Sequence, residues 1–284
     1  MNIILGATGQ IGSLLVDDLL IKDQPVRAVI RNGSKAQELK NRGVEVIIAD
    51  YFDVEALKKA FHGGDSVFLL TPENPVCENC LSKIRIMINN YKEAVLSSGV
   101  TKILGLSSMG AQHKSGTGNL MASYMLEQAF SDVVIEQIFV RPAYYYSNWL
   151  GYFELVKEHG ILPTFFQPEM KLPMIAPSDV AKFLSDVMIC KTPQERIYEI
   201  MGPYAYSSSD IAKIFGEVLN RNITLQQILP EEWESTLIQA GFSKDAANNL
   251  ILMTKAVIDG KTKNDTPDTI RFSTDFKTYL KYFI

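Results

Sequence analysis

Little in this sequence is basic, and nothing in it is long and apolar. The 28 Lys and Arg are outnumbered by 32 Asp and Glu, for a net charge of −4 over 284 residues. Proteins that neutralise a phosphate backbone show a basic balance and a basic face, so a nucleic-acid partner is not expected. No uninterrupted apolar run approaches the roughly 20 residues that a membrane helix needs, so no membrane span is expected. Met1–Leu5 runs directly into what reads as a strand, without the basic, apolar and small-residue order of a secretory signal. A cytoplasmic protein is the expectation. Cysteine is scarce: Cys77, Cys80 and Cys190 are an odd number in a long chain, which does not form a disulfide framework. Cys77-x-x-Cys80 has no second ligand pair, because His62, His113 and His159 are scattered. The two cysteines read as small residues opening a helix, and no metal site is expected. Three catalytic signatures are also missing: His-Glu-x-x-His, the Gly-x-x-x-x-Gly-Lys phosphate loop, and Gly-x-Ser-x-Gly. Gly105-Leu106-Ser107-Ser108-Met109-Gly110 approaches the last but misses its spacing.

What is present is an ordinary globular composition, 46% hydrophobic and 21% charged, in a chain long enough to bury a large core. Short apolar runs recur every 20 to 30 residues, at Asn2–Leu5, Val26–Ile30, Val44–Ala49, Ser66–Leu70, Lys102–Ser107 and Glu136–Val140. Helical patterns separate them, at Ile11–Ile21, Lys35–Arg42, Val54–Phe61, Leu81–Ser97 and Leu120–Phe130. Strands alternating with helices predict an α/β fold, a parallel sheet wound on both faces with right-handed crossovers. The pattern loosens after Arg141-Pro142. An aromatic run, Tyr144-Tyr145-Tyr146-Ser147-Asn148-Trp149, is followed by four prolines within 161–177. Helices are expected at Val180–Cys190 and Ile211–Leu219, a strand at Arg196–Ile200, and short helices from Pro230 to Ile284. The expectation is a sheet domain over 1–150, completed by 174–200, and a smaller, mainly helical substrate lobe over 151–284.

Gly6-Ala7-Thr8-Gly9-Gln10-Ile11-Gly12 lies between the first strand and the first helix. Gly6 permits a tight turn, Gly9 lets the backbone approach a pyrophosphate, and Gly12 lets helix and strand pack closely. The helix that follows directs free N–H groups and its positive end at the phosphates. In strand–turn–helix context this is the dinucleotide fingerprint of the Rossmann fold. About 20 residues later the second strand ends in Ile30-Arg31-Asn32. NAD-binding folds usually place an acid there for the ribose hydroxyls, whereas a cation pairs with a 2′-phosphate and stacks on adenine. With Lys35 as a second charge, NADP(H) is favoured and NAD(H) stays open. Asp50-Tyr51, Thr71-Pro72 and Ser107 follow the third, fourth and fifth strands, where ligands sit in this architecture, and are expected to line the adenine, ribose and nicotinamide pocket.

Gly6–Gly12, Val29-Ile30-Arg31-Asn32 with Lys35-Ala36, Gly43-Val44-Glu45-Val46 running to Asp50-Tyr51, and Phe139-Val140-Arg141-Pro142 with Asn148-Trp149 resemble the NmrA-like family. These are atypical short-chain dehydrogenases/reductases. The resemblance spans the chain, more strongly over 1–142. It implies NADP(H) binding and two kinds of function: reduction of quinones or other small conjugated molecules, or sensing of the NADP(H)/NADP⁺ balance through a protein partner. A nucleotide-sugar epimerase or dehydratase is a further alternative on the same fold. The superfamily's Tyr-x-x-x-Lys, in which Lys lowers the Tyr pKa, occurs nowhere in this sequence. Ser123 and Glu127 stand at the positions resembling that Tyr and Lys, and Tyr124 is one residue out, about 100° around the helix. That absence disfavours chemistry at a carbinol carbon. Quinone reduction needs only a positioned nicotinamide, an aromatic slot and a weak proton donor. Tyr144, Tyr145, Asn148 and Trp149 are the expected slot, and Tyr124 and His113 the expected donors. At least two of the five residues Tyr144, Tyr145, Tyr146, Asn148 and Trp149 are expected to be core packing between the lobes. A monomer or homodimer acting on a small-molecule acceptor fits this reading.

Overall fold

The computed structural model of the protein describes residues 1–192, 195–264 and 268–284. The first half of the chain alternates strand and helix: β1 (Asn2–Leu5), α1 (Gln10–Ile21), β2 (Val26–Ile30), α2 (Ala36–Asn41), β3 (Glu45–Ile48), α3 (Val54–Phe61), β4 (Ser66–Leu69), α4 (Cys80–Ser98), β5 (Lys102–Leu106), α5 (Leu120–Ala129) and β6 (Glu136–Pro142). The second half is less regular: β7 (Tyr144–Tyr145), α6 (Ser147–Leu150), α7 (Phe153–His159), β8 (Ile161–Thr164), β9 (Leu172–Ile175), α8 (Pro177–Ile189), β10 (Ile197–Met201), β11 (Ala205–Tyr206), α9 (Ser208–Leu219), β12 (Thr224–Gln227), α10 (Trp233–Gln239), α11 (Lys244–Ile258), β13 (Ile270–Arg271) and α12 (Phe276–Leu280).

Eight strands form one sheet in the order β13-β10-β6-β5-β4-β1-β2-β3, and every neighbouring pair is parallel. This is the doubly wound α/β sheet. The order reverses between β1 and β4, and that switch point opens the crevice in which such sheets bind ligands. Both faces are covered, which is why β1 and β4 are apolar almost throughout and fully buried. On one face Ile11, Leu15, Val16 and Leu19 of α1 join Val180, Leu184 and Met188 of α8. On the other, Leu57 and Phe61 of α3, Met87, Tyr91 and Val95 of α4, and Leu126 of α5 make a second core. Each such side chain removed from water stabilises the fold by about 1.5–3 kcal/mol before entropy is counted.

Beyond β6 the chain serves both the sheet and the smaller lobe. Helix α8, within 174–200, packs on α1 and is tied to it by Lys22 to Asp186 at 2.7 Å. The expected strand at 196–200 does complete the sheet, but β13 then extends it from deep within the supposed cover lobe. The smaller lobe is mainly helical, and it also carries the small sheets β11-β9-β7 and β12-β8 around a third core that includes Tyr146, Trp149, Phe215 and Phe276. Two-residue strands of this kind leave no periodicity to read. Among the described residues, no helix is long and apolar enough to cross a membrane.

Candidate functional site

The glycine turn is built by close backbone approach. Gly6 sits at φ +62°, and the turn closes through Gly9 N–H donating to the Gly6 carbonyl at 2.8 Å. A Cβ on Gly12 would lie 2.1 Å from the Gly6 oxygen and 2.7 Å from its carbonyl carbon, so the first turn of α1 rests directly on the loop. Thr8, Gly9 and Gln10 are exposed above this cradle, while Ile11 is buried beneath it in the sheet core. No side chain caps α1, and its first turn holds no acid. Its positive end and free N–H groups are therefore available to an anion.

Tyr51 does not face the adenine space. It is buried, hydrogen-bonds the Gly6 backbone, and stands edge-on to Tyr91 at 5.7 Å. The Tyr91 hydroxyl in turn donates to the Leu70 carbonyl at 3.3 Å. These two tyrosines brace the carboxyl ends of β1 and β4 from below. Burial raises both pKa values, so both hydroxyls remain protonated.

Arg31 and Lys35 are exposed beside the cradle, and neither has an ion-pair or hydrogen-bond partner among the described residues. Asn32 is occupied: its side-chain oxygen accepts from the Ser34 hydroxyl at 2.6 Å and fixes the turn that carries Lys35. Asp50 likewise accepts from Phe52 N–H at 2.8 Å, shaping the loop after β3. Thr71 and Pro72 are half-buried on the loop after β4.

Ser107 does not offer its hydroxyl to a ligand. Its Oγ donates to Glu127 Oε1 at 2.6 Å. Glu127 also accepts two hydrogen bonds from Arg141, Nε to Oε1 at 2.8 Å and the terminal nitrogen to Oε2 at 2.7 Å. Glu199 approaches the other Arg141 nitrogen at 3.5 Å, and all four residues are buried. The acid at the position resembling the relay lysine is therefore half of an internal forked ion pair. It points into the protein, not at Tyr124.

Tyr124 is half-buried and makes no hydrogen bond among the described residues. His113 Nε2 is held by the Lys261 carbonyl at 2.9 Å, which commits it to joining the lobes. Of the expected slot, Trp149 is core: it is 2% exposed, with its indole N–H on Met174 Sδ at 3.4 Å. Tyr146 is core as well. Tyr145 turns toward the sheet core. Tyr144 remains, hydrogen-bonded to the exposed Asn148 and edge-on to Phe166 at 5.8 Å. Ser147 Oγ donates to Gln10 at 3.1 Å and ties this segment to the cradle. Glu73 follows Pro72 on the loop after β4, is exposed, and lies close to Asn119 at the start of α5.

The NmrA-like family model matches residues 2–275. The chain belongs to the NmrA-like family. It is 26% identical over 257 residues to an NAD(P)H azoreductase of Xenophilus azovorans, covering 88% of this chain and 86% of that protein. Its fold matches Citrobacter sp. triphenylmethane reductase complexed with NADP(H), at a TM-score of 0.85 and 22% identity over 100% of this chain and 99% of that one. It also matches the NADPH-dependent quinone oxidoreductase of Escherichia coli complexed with NADPH, at a TM-score of 0.82 and 24% identity, covering 99% of each chain.

Proposed function

We propose that this chain is an NADPH-dependent reductase of a quinone or a similarly small, planar acceptor. The observation that carries the reading is an uncapped helix over an open glycine cradle, with unpaired Arg31 and Lys35 beside it. The glycine backbone and the N-terminus of α1 would hold the pyrophosphate. Arg31 would fork onto the 2′-phosphate, with Lys35 as a second charge. When bound, the cofactor supplies hydride; the protein supplies orientation and a slot that excludes water. Tyr144 and Asn148 would provide an aromatic face with a polar end, backed by the buried Phe166. The names of the azoreductase and quinone oxidoreductase relatives support the same reaction class. The buried pairing of Glu127 with Arg141 weighs against an epimerase or dehydratase, because it leaves no base at the relay position.

The test is NADPH oxidation followed at 340 nm across a panel of benzoquinones, naphthoquinones, enones and azo dyes. Turnover clearly above the uncatalysed rate is expected with at least one planar acceptor. Tight NADPH binding with no turnover on any of them would overturn the reductase reading and leave a non-catalytic NADP(H) binder acting through a partner.

A further inference from the structure

We propose, independently of the reductase reading, that Cys77 and Cys80 are a redox-active dithiol, which hydrogen peroxide closes to an intramolecular disulfide. The spacing alone decides little, since Cys-x-x-Cys serves metals, redox pairs and plain packing. Among the described residues no group of three His, Cys, Asp or Glu is placed to hold a metal ion. Both thiols are free, and they share one small buried cluster with Ala246 of α11.

The turn between the cysteines folds one back on the other. Cys77 N–H donates to the Asn74 carbonyl at 3.1 Å, which closes the bend ahead of the pair. Asn79 then takes a left-handed backbone, φ +56° and ψ +45°, a conformation that asparagine tolerates better than most residues. That reversal starts α4 at once, with Cys80 as its first residue. It brings the Cys80 sulfur to 3.1 Å from the Cys77 carbonyl oxygen, and sets the Cys80 thiol against the Cys77 side chain. Closing an S–S bond therefore asks two side chains to rotate, with the backbone reversal already made. The start of α11 holds this turn from outside. Ser243 N–H donates to the Pro75 carbonyl at 2.9 Å, and the Ser243 hydroxyl donates to the Cys77 carbonyl. The Asp245 carboxylate accepts from Cys80 N–H at 2.7 Å and is itself fixed by the Asn249 side chain at 3.3 Å.

The two thiols have different roles. Burial, Asp245 and the Cys77 sulfur all push the Cys80 thiol up, so Cys80 stays protonated and is not the first to react. Cys77 therefore meets the oxidant. At the pair, α4 offers no side-chain cap and no acid in its first turn, an electropositive setting that favours negative sulfur. Each cysteine is 8% exposed, just beneath the exposed Val76, Glu78 and Asn79, within reach of a small oxidant. In the first step the Cys77 sulfur attacks one peroxide oxygen and the O–O bond breaks. Cys77 becomes a sulfenic acid, and the displaced hydroxide leaves as water with the Cys77 proton. In the second step the Cys80 sulfur attacks the Cys77 sulfur while Asp245 takes the Cys80 proton. The S–S bond forms as the sulfenic oxygen departs and collects that proton, giving a second water. Two thiols are oxidised, and one peroxide is reduced to two waters.

The test is peroxide treatment of the full-length protein, followed by alkylation in urea and mass spectrometry of tryptic peptides. Residues 60–83 form one such peptide carrying both cysteines, and Cys190 lies in another. After peroxide, peptide 60–83 is expected to be lighter by two hydrogens and to take no alkylating agent. Dithiothreitol should restore both alkylation sites, and Cys190→Ser should behave as wild type does. In Cys80→Ser, Cys77 is expected to stop at a sulfenic acid that dimedone traps. In Cys77→Ser, Cys80 should remain a thiol. The wild-type result decides the matter even where a serine variant misfolds. The assignment is overturned if both cysteines remain alkylatable at a peroxide dose that oxidises glutathione completely. Separate sulfinic acids on the two residues, or a disulfide formed only through Cys190, would overturn it equally.

Discussion

Gly12→Ala is expected to weaken dinucleotide binding severely and to destabilise the protein by about 3 kcal/mol. The added methyl would sit 2.1 Å from the Gly6 oxygen and 3.1 Å from the Ala7 Cα, and these are backbone atoms with no rotamer to change. Either α1 lifts off the loop or the loop distorts. Lifting α1 loosens Leu15, Val16 and Leu19, all fully buried against the sheet. Distorting the loop misplaces the N–H groups meant for the pyrophosphate. Binding should weaken by about 100-fold or more, equivalent to at least about 2.7 kcal/mol. Urea denaturation and NADPH fluorescence titration on the same preparation check both effects. An alanine variant with native stability and affinity would show that the helix does not rest on the turn.

Glu127→Lys is the substitution that superfamily analogy invites, since it places a lysine where the relay would have one. It is expected to damage the fold without restoring any relay. Glu127 is 2% exposed and bonds Arg141 through both oxygens, with Ser107 as a third donor. Breaking a buried pair from one side costs about 3–5 kcal/mol, and here the replacement is a second cation against the first. The melting temperature should fall by roughly 10 °C. Glu127→Gln, which keeps the shape and one acceptor, should lose less. Thermal unfolding followed by circular dichroism distinguishes the two, and a Glu127→Lys protein as stable as wild type would contradict the internal pairing.

Much of the fold was legible because its strands are buried on both faces and its helices have one apolar side. The spacing reproduces β1, β2 and α3 to the residue, and α3 announces itself with Asp53, whose side chain accepts from Ala56 N–H at 3.0 Å. The second half was harder to read for physical reasons. The strands at 144–145, 205–206 and 270–271 are two residues long, and β13 joins the sheet by a contact that no local pattern encodes. In the site, glycine spacing revealed the cradle because steric need at Gly6 and Gly12 is local. Roles that depend on burial were not local. Tyr51 and Trp149 look like ligand-facing aromatics in sequence and pack inward. Ser107 occupies a ligand position, but Glu127, 20 residues later, takes its hydroxyl.

The central claim is that this cleft holds NADPH and selects it through Arg31. The most direct measurement is a fluorescence titration of purified wild type and Arg31→Ala with NADPH, NADP⁺, NADH and NAD⁺. Tighter binding of NADPH than NADH is expected in wild type. The variant should lose about 10- to 100-fold in NADPH affinity while its NADH affinity falls much less, the signature of one lost charge-assisted hydrogen-bond pair to a phosphate. Equal affinity for NADPH and NADH, or no binding of any dinucleotide, would contradict the account.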